Sequence, residues 1–179
     1  MQARRVLCMV LLIVLGASLS VHAGGGGGLT YGAQIYVPQY ANRDLVASCF
    51  GGFGYGTSWR GQRIGGFGLA ILDNSDTEAI AGGFGGVLVG QQVKSGPFTF
   101  SLNFWSGLGG ASTSFGDPRG FFGLFMEANV EIGLSIVPWM QFVGYAGMQT
   151  VSNLIPGLPF LGTLVYTPVF GTRIVWGSF

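Results

Sequence analysis

Four charged side chains carry most of the chemistry this chain can offer: Glu127, Glu131, Arg63 and Arg173. The glutamates stand four residues apart in 121–136, a stretch whose alternate positions differ in character. An extended chain rises about 3.3 Å per residue, which puts the two carboxylates roughly 13 Å apart along it. That is too far for a close acid/base pair on a glycosidic bond unless other elements supply partners. Two uses remain. Arginines facing the same interior would neutralise the carboxylates, because a bare charge away from water is expensive. Alternatively, a Glu/Arg cluster would line a constriction that selects solutes. Pairing of Glu127 and Glu131 with Arg63, Arg173 or both is the expectation, with the constriction as the alternative.

Other chemistry is missing from the sequence. His22 is the one histidine, and it falls in a segment expected to be removed. Without it there is no Ser–His–acid triad and no ordinary His-based zinc site. The sequence 56–61, Gly-Thr-Ser-Trp-Arg-Gly, is not a nucleophile elbow, since its second glycine comes one residue late. None of the Gly-Gly-Phe-Gly segments at 51–54, 65–68 and 82–85 completes G-x-G-x-x-G. No basic patch suggests nucleic acid. No catalytic, cofactor-binding or metal-binding residue is therefore expected, and the chain does not read as an enzyme.

The elements that position the four charges are extended. In 121–136 the even positions, Phe122 through Ile136, are all apolar, while the odd ones include Glu127, Asn129, Glu131 and Ser135. A period of two is the signature of a strand with one oily and one largely polar face. Sixteen residues is about three times the usual soluble strand, and suits a tilted strand that crosses a bilayer and projects from it. Strands are predicted over 29–37, 46–59, 62–72, 79–93, 97–108, 121–136, 139–150 and 161–178, with a start after Pro168 as the alternative for the last. Turns of two or three residues are expected at 60–61, 94–96 and 137–138, and longer loops at 38–45, 73–78, 109–120 and 151–160. Short turns on one side and longer loops on the other is the pattern of a closed antiparallel transmembrane β-barrel. Eight strands make all-β architecture with both ends of the barrel domain on the short-turn side. In so narrow a lumen the glycines of the three repeats leave room, and neighbouring Phe rings are expected to cover the bare backbone.

Composition agrees with lipid as the main solvent. The chain has 179 residues, 34 of them glycine, and only 8 % are charged against about 25 % in ordinary domains. Mean hydropathy is +0.52. Arg4 and Arg5, the apolar run 6–15 and Val21-His22-Ala23 read as a secretory signal with cleavage after Ala23. The expected organisation is a signal peptide over 1–23, a flexible glycine-rich leader over 24–28 and one barrel domain over 29–179. After cleavage, six basic residues face seven acidic ones, and Cys49 is left without a disulfide partner.

Trp59 and Trp139 flank short turns and Trp176 lies near the end of the chain, so three of the four tryptophans fall at one rim, as an interfacial aromatic girdle would. The chain ends Gly-Thr-Arg-Ile-Val-Trp-Gly-Ser-Phe, and a terminal Phe179 closing a final strand resembles the assembly signal of bacterial outer-membrane barrels. In that family the apolar positions step back by two from the final Phe. Here those positions hold Gly177, Val175 and Arg173, whereas Phe170, Ile174 and Trp176 make the better apolar frame. The general resemblance is to small eight-stranded outer-membrane β-barrel proteins. It implies residence in the outer membrane of a bacterium with two membranes, contact with outer-membrane lipid, handling by the barrel-assembly machinery, and no cofactor. It specifies no activity, so the expected role is structural or one of surface interaction through the loops. The narrow porin-like channel is the alternative.

Two rival architectures conflict with the sequence. A helical membrane protein would use the uncharged run 132–172, but Pro138, Pro156, Pro159 and Pro168 break it. A secreted β-sandwich would expose strand faces with very little Lys or Glu to keep them soluble.

Overall fold

The computed structural model describes residues 22–36, 45–75, 78–113, 119–153 and 165–179. Eight strands follow one another: β1 (His22–Tyr36), β2 (Leu45–Ser58), β3 (Gln62–Ser75), β4 (Glu78–Ser95), β5 (Phe98–Thr113), β6 (Arg119–Val137), β7 (Met140–Asn153) and β8 (Val165–Ser178). Each pairs antiparallel with its sequence neighbours, and β1 pairs with β8, closing the sheet into a barrel with no free edge. Following one rung round the ring, Glu131 leads to Tyr145, Gly171, Gly32, Cys49, Ile71, Gly82 and Ala111, and returns to β6 at Phe121. The circuit is staggered by ten residues, from 131 to 121. Such a stagger tilts the strands by roughly 35–45° from the barrel axis, and long strands follow from that tilt.

The turns are set by local chemistry. Gly61 takes a φ of 79° and its N–H donates to the Ser58 carbonyl at 2.9 Å, closing the β2–β3 turn. Gly96 takes a φ of 60° immediately before Pro97, and Ser95 pairs with Phe98 across this two-residue hairpin. A positive φ at the first central position is the need that glycine meets in a type II′ turn. The β6–β7 turn is Pro138-Trp139, with an irregular register between Ser135 and Val137.

Several expected boundaries move. The glycine run 24–28 is not a leader: it lies inside β1, where Gly25 to Gly28 pair on one side with β2 and on the other with β8. Pairing to two neighbours satisfies the backbone of a strand without any help from side chains, and this offsets the conformational freedom that glycine loses. Strands also run further toward the loop end than the apolar pattern suggests. Asp73, Asn74 and Ser75 pair with Ile80, Ala79 and Glu78, which leaves a two-residue β3–β4 connection, and β5 and β6 stay paired out to Thr113 and Arg119. Beyond the apolar zone the backbone hydrogen bonds continue, and they do not depend on side-chain polarity. Pro168 lies within β8, opposite Met148, just past the rung where pairing to β1 ends. Residues 1–21 of the expected 1–23 signal peptide and the apolar loop residues 154–160 lie outside the described residues.

Parity sorts the side chains. On β6 the odd residues Phe125, Glu127, Asn129 and Glu131 are buried in the lumen while Phe122, Val130, Ile132 and Leu134 are exposed outward. Outward Phe98, Phe100, Leu102 and Phe104 on β5 and Phe142 and Met148 on β7 continue this bulky wall. The opposite wall carries outward Phe50, Ile64, Leu72, Val87 and Val89 but is crossed by a bare band of glycine. In each Gly-Gly-Phe-Gly repeat the Phe points into the lumen together with the first glycine, and the glycines at the second and fourth positions face out. The rings therefore do not cover those outward glycines. Gly52, Gly68 and Gly85 share one rung of this smooth surface.

Candidate functional site

The four charged residues meet inside the barrel. Arg63 enters from β3, Glu127 and Glu131 from β6, and Arg173 from β8, and each is at most 5 % exposed. An Arg63 Nη1 donates to Glu131 Oε2 at 2.6 Å and to Asn103 Oδ1 at 3.1 Å. Arg173 pairs with the other oxygen of Glu131, lies 3.6 Å from Glu127 Oε1, and donates from Nε to Thr30 Oγ1 at 3.3 Å. Glu131 thus bridges two guanidiniums. Asn103 donates to Asn129 at 3.1 Å, and Asn129 donates to Glu127 at 2.6 Å, so side-chain amides complete the circuit between the carboxylates. Two positive and two negative groups leave the cluster formally neutral, the arrangement that burial demands.

Aromatic rings cover both arginines. The Arg63 guanidinium sits 3.7 Å from the centre of Tyr55. That of Arg173 lies 3.9 Å from Tyr145 and 4.3 Å from Trp105. Trp105 joins a chain of rings that crosses the lumen: Phe84 to Phe125 at 5.4 Å, Phe125 to Phe67 at 5.5 Å, Phe67 to Trp105 at 4.8 Å and Trp105 to Phe53 at 5.7 Å between centroids. These separations are those of mutually packed aromatics.

Sequence reasoning left out the polar and aromatic partners: Asn103, Asn129, Thr30, Tyr145 and Trp105. The signal for three of them was present, since Asn103 and Trp105 share the parity of Thr99 and Ser101, and Asn129 sits between the glutamates. Thr30 and Tyr145 come from strands whose alternation is blurred by glycine, and only the closed register brings them in. Among the described residues no three His, Cys, Asp or Glu side chains come together, so none is arranged to hold a metal ion.

The rim residues fall at one end. Trp59 lies in the β2–β3 turn, Trp139 in the β6–β7 turn, and Trp176 on β8 opposite Met140, with 73 %, 59 % and 40 % of their surfaces exposed. Arg60 stacks over Trp59 at 4.4 Å. On β8 the large apolar side chains that face outward are Phe170, Ile174 and Trp176. Phe179 has the opposite parity and packs against the buried core.

No family model and no curated protein sequence matches the chain. Solved structures do. The Neisserial surface protein A (NspA) is similar with a TM-score of 0.62 at 6 % identity, over 87 % of this chain and 95 % of that one. Ail, the attachment invasion locus protein of Yersinia pestis, gives 0.52 at 9 % identity over 88 % and 99 %. Its complex with the heparin analogue sucrose octasulfate gives 0.53 at 10 % identity, over 86 % of this chain and 97 % of that one. The closed ring of eight antiparallel strands in this chain is the fold of the eight-stranded outer-membrane β-barrels.

Proposed function

We propose that the chain is an outer-membrane protein with a side-chain-filled lumen, whose role is structural or one of surface interaction at the loop end. The observation that carries this reading is the Arg173 hub: one guanidinium from β8 reaches Glu127 and Glu131 on β6 and packs on Trp105 of β5 and Tyr145 of β7. A residue tied to several walls at once occupies the space a solute would need. The Glu/Arg constriction of the channel alternative needs those same charges free to meet an ion, whereas here they are engaged with one another.

Export by the 1–23 signal, seating of the aromatic girdle Trp59, Trp139 and Trp176 at the lipid interface, and recognition of the chain end around Phe179 by the assembly machinery belong to the same proposal. Names such as surface protein and attachment invasion locus protein in the structural neighbours support a surface role in general terms. A polyanion such as the heparin analogue bound to Ail is a poor partner for this loop side. In sequence that side carries Arg43 and Arg119 against Asp44, Asp73, Asp76, Glu78 and Asp117. We read no enzymatic activity in the chain.

Planar-bilayer recording on detergent-purified, heat-modifiable protein tests the reading. The expected trace is flat. Reproducible conductance steps that change on Glu131→Gln would replace it with the channel.

A further inference from the structure

Phe179 and Lys94 meet at the turn end of the barrel, and they come from opposite walls. Lys94 belongs to β4 and Phe179 follows β8, four strands apart in a ring of eight. Lys94 shares the lumen parity of Leu88 and Gly90, and its Nζ donates to a main-chain oxygen of Phe179 at 3.1 Å. The Phe179 ring also turns inward. A methyl group built on Gly26, a lumen-facing position of β1, would lie 3.0 Å from Tyr55 Oη, 3.0 Å from Val175 Cγ1 and 3.2 Å from Phe179 Cε1. Glycine at position 26 leaves the space that the ring fills. Tyr55 in turn lies under the Arg63 guanidinium, so Phe179 stands directly below the column that leads to the ion pairs.

We propose that Phe179 and Lys94 form a strap that closes the turn-side mouth and keeps water from the Arg63–Glu131–Arg173 cluster on that side. The ring supplies the plug, and the Lys94 hydrogen bond anchors its backbone to the far wall. The Phe84–Phe125–Phe67–Trp105 layer closes the other approach, so the cluster lies in a compartment sealed at both ends. This role belongs to the folded barrel and is separate from any reading of Phe179 during assembly.

The test uses single thiols in a Cys8→Ala, Cys49→Ala background, with protein refolded from urea into detergent so that no assembly machinery takes part. Ser101→Cys places a reporter on β5 in the compartment, between Gln92 and Glu131 in register. Ala111→Cys places a control in the lumen on the loop side of the aromatic layer. A cationic methanethiosulfonate should label Ser101→Cys slowly when the strap is intact. The rate should rise about tenfold or more with Phe179→Ala, rise less with Lys94→Gln, and return toward the slow value with Phe179→Leu. The control should not change. Equal rates at Ser101→Cys in all four backgrounds would overturn the strap, as would parallel acceleration at Ala111→Cys, which would mean a generally loosened barrel. If Phe179→Ala does not refold, Lys94→Gln and Phe179→Leu decide the matter by the same rates.

Discussion

Arg173 on β8 and Glu131 on β6 form a buried ion pair across the whole width of β7. Neither residue is a register neighbour of the other. Glu131 pairs with Tyr145, and Arg173 pairs with Val143. The contact exists because the barrel is narrow enough for a long side chain to reach past the intervening strand.

This geometry ranks the acidic residues. Glu131 serves both arginines, whereas Glu127 serves Arg173 and Asn129. Removing one partner of a buried pair costs about 3–5 kcal/mol because the other charge is stranded. Glu131→Leu should lose about that much stability in urea titrations of folded barrel, and Glu127→Leu should lose less. Unchanged stability in Glu127→Leu, or the reverse order, would show that the lumen is wet enough to solvate the charges.

Glycines of one repeat should answer differently to the same substitution. A methyl at Gly65 would collide with the Gly54 carbonyl oxygen across the β2–β3 ladder, while at Gly68 nothing lies within 4 Å. Gly65→Ala should therefore destabilise by about 1–3 kcal/mol, as overpacking does. Gly68→Ala should be neutral or stabilising by up to about 1 kcal/mol, because glycine weakens a strand entropically. Folded fraction on unboiled gels against urea reads both, and similar losses would contradict the assignment of faces.

Trp105 ties the aromatic layer to the Arg173 guanidinium and is 1 % exposed. Trp105→Ala should cost about 3–5 kcal/mol as a cavity-forming change. Its loss should also remove little of the fluorescence shift that accompanies membrane insertion, which the proposed girdle assigns to the exposed Trp59, Trp139 and Trp176. If Trp105→Phe alone abolishes that shift, the rim assignment fails.

Depth on the lipid face can be read with arginine. Val130 lies mid-strand on the outward face of β6, opposite Leu102 and Ala146, and Ile136 lies beside the β6–β7 turn. Val130→Arg should cost about 2–4 kcal/mol in a bilayer and Ile136→Arg about 0–1 kcal/mol. Equal costs would place the hydrocarbon zone elsewhere.

Strand number and the face of each side chain within 122–136, Glu127 and Glu131 included, were legible in the sequence, because a period of two is a local property of extended backbone. Side-chain parity also gave the outward apolar frame of Phe170, Ile174 and Trp176. Glycine obscured the rest. A residue without a side chain gives no parity signal, so 24–28 read as a leader although Gly25 to Gly28 are paired on both sides. The repeats at 51–54, 65–68 and 82–85 gave no hint of which glycine meets lipid. What only the tertiary structure decided is height. The ten-residue stagger of the closed ring fixes which rung of one wall faces which rung of another, and no stretch of sequence contains that quantity. It brings Arg63 and Arg173 to one glutamate, places Trp105 against Arg173, and carries Lys94 across the mouth to Phe179.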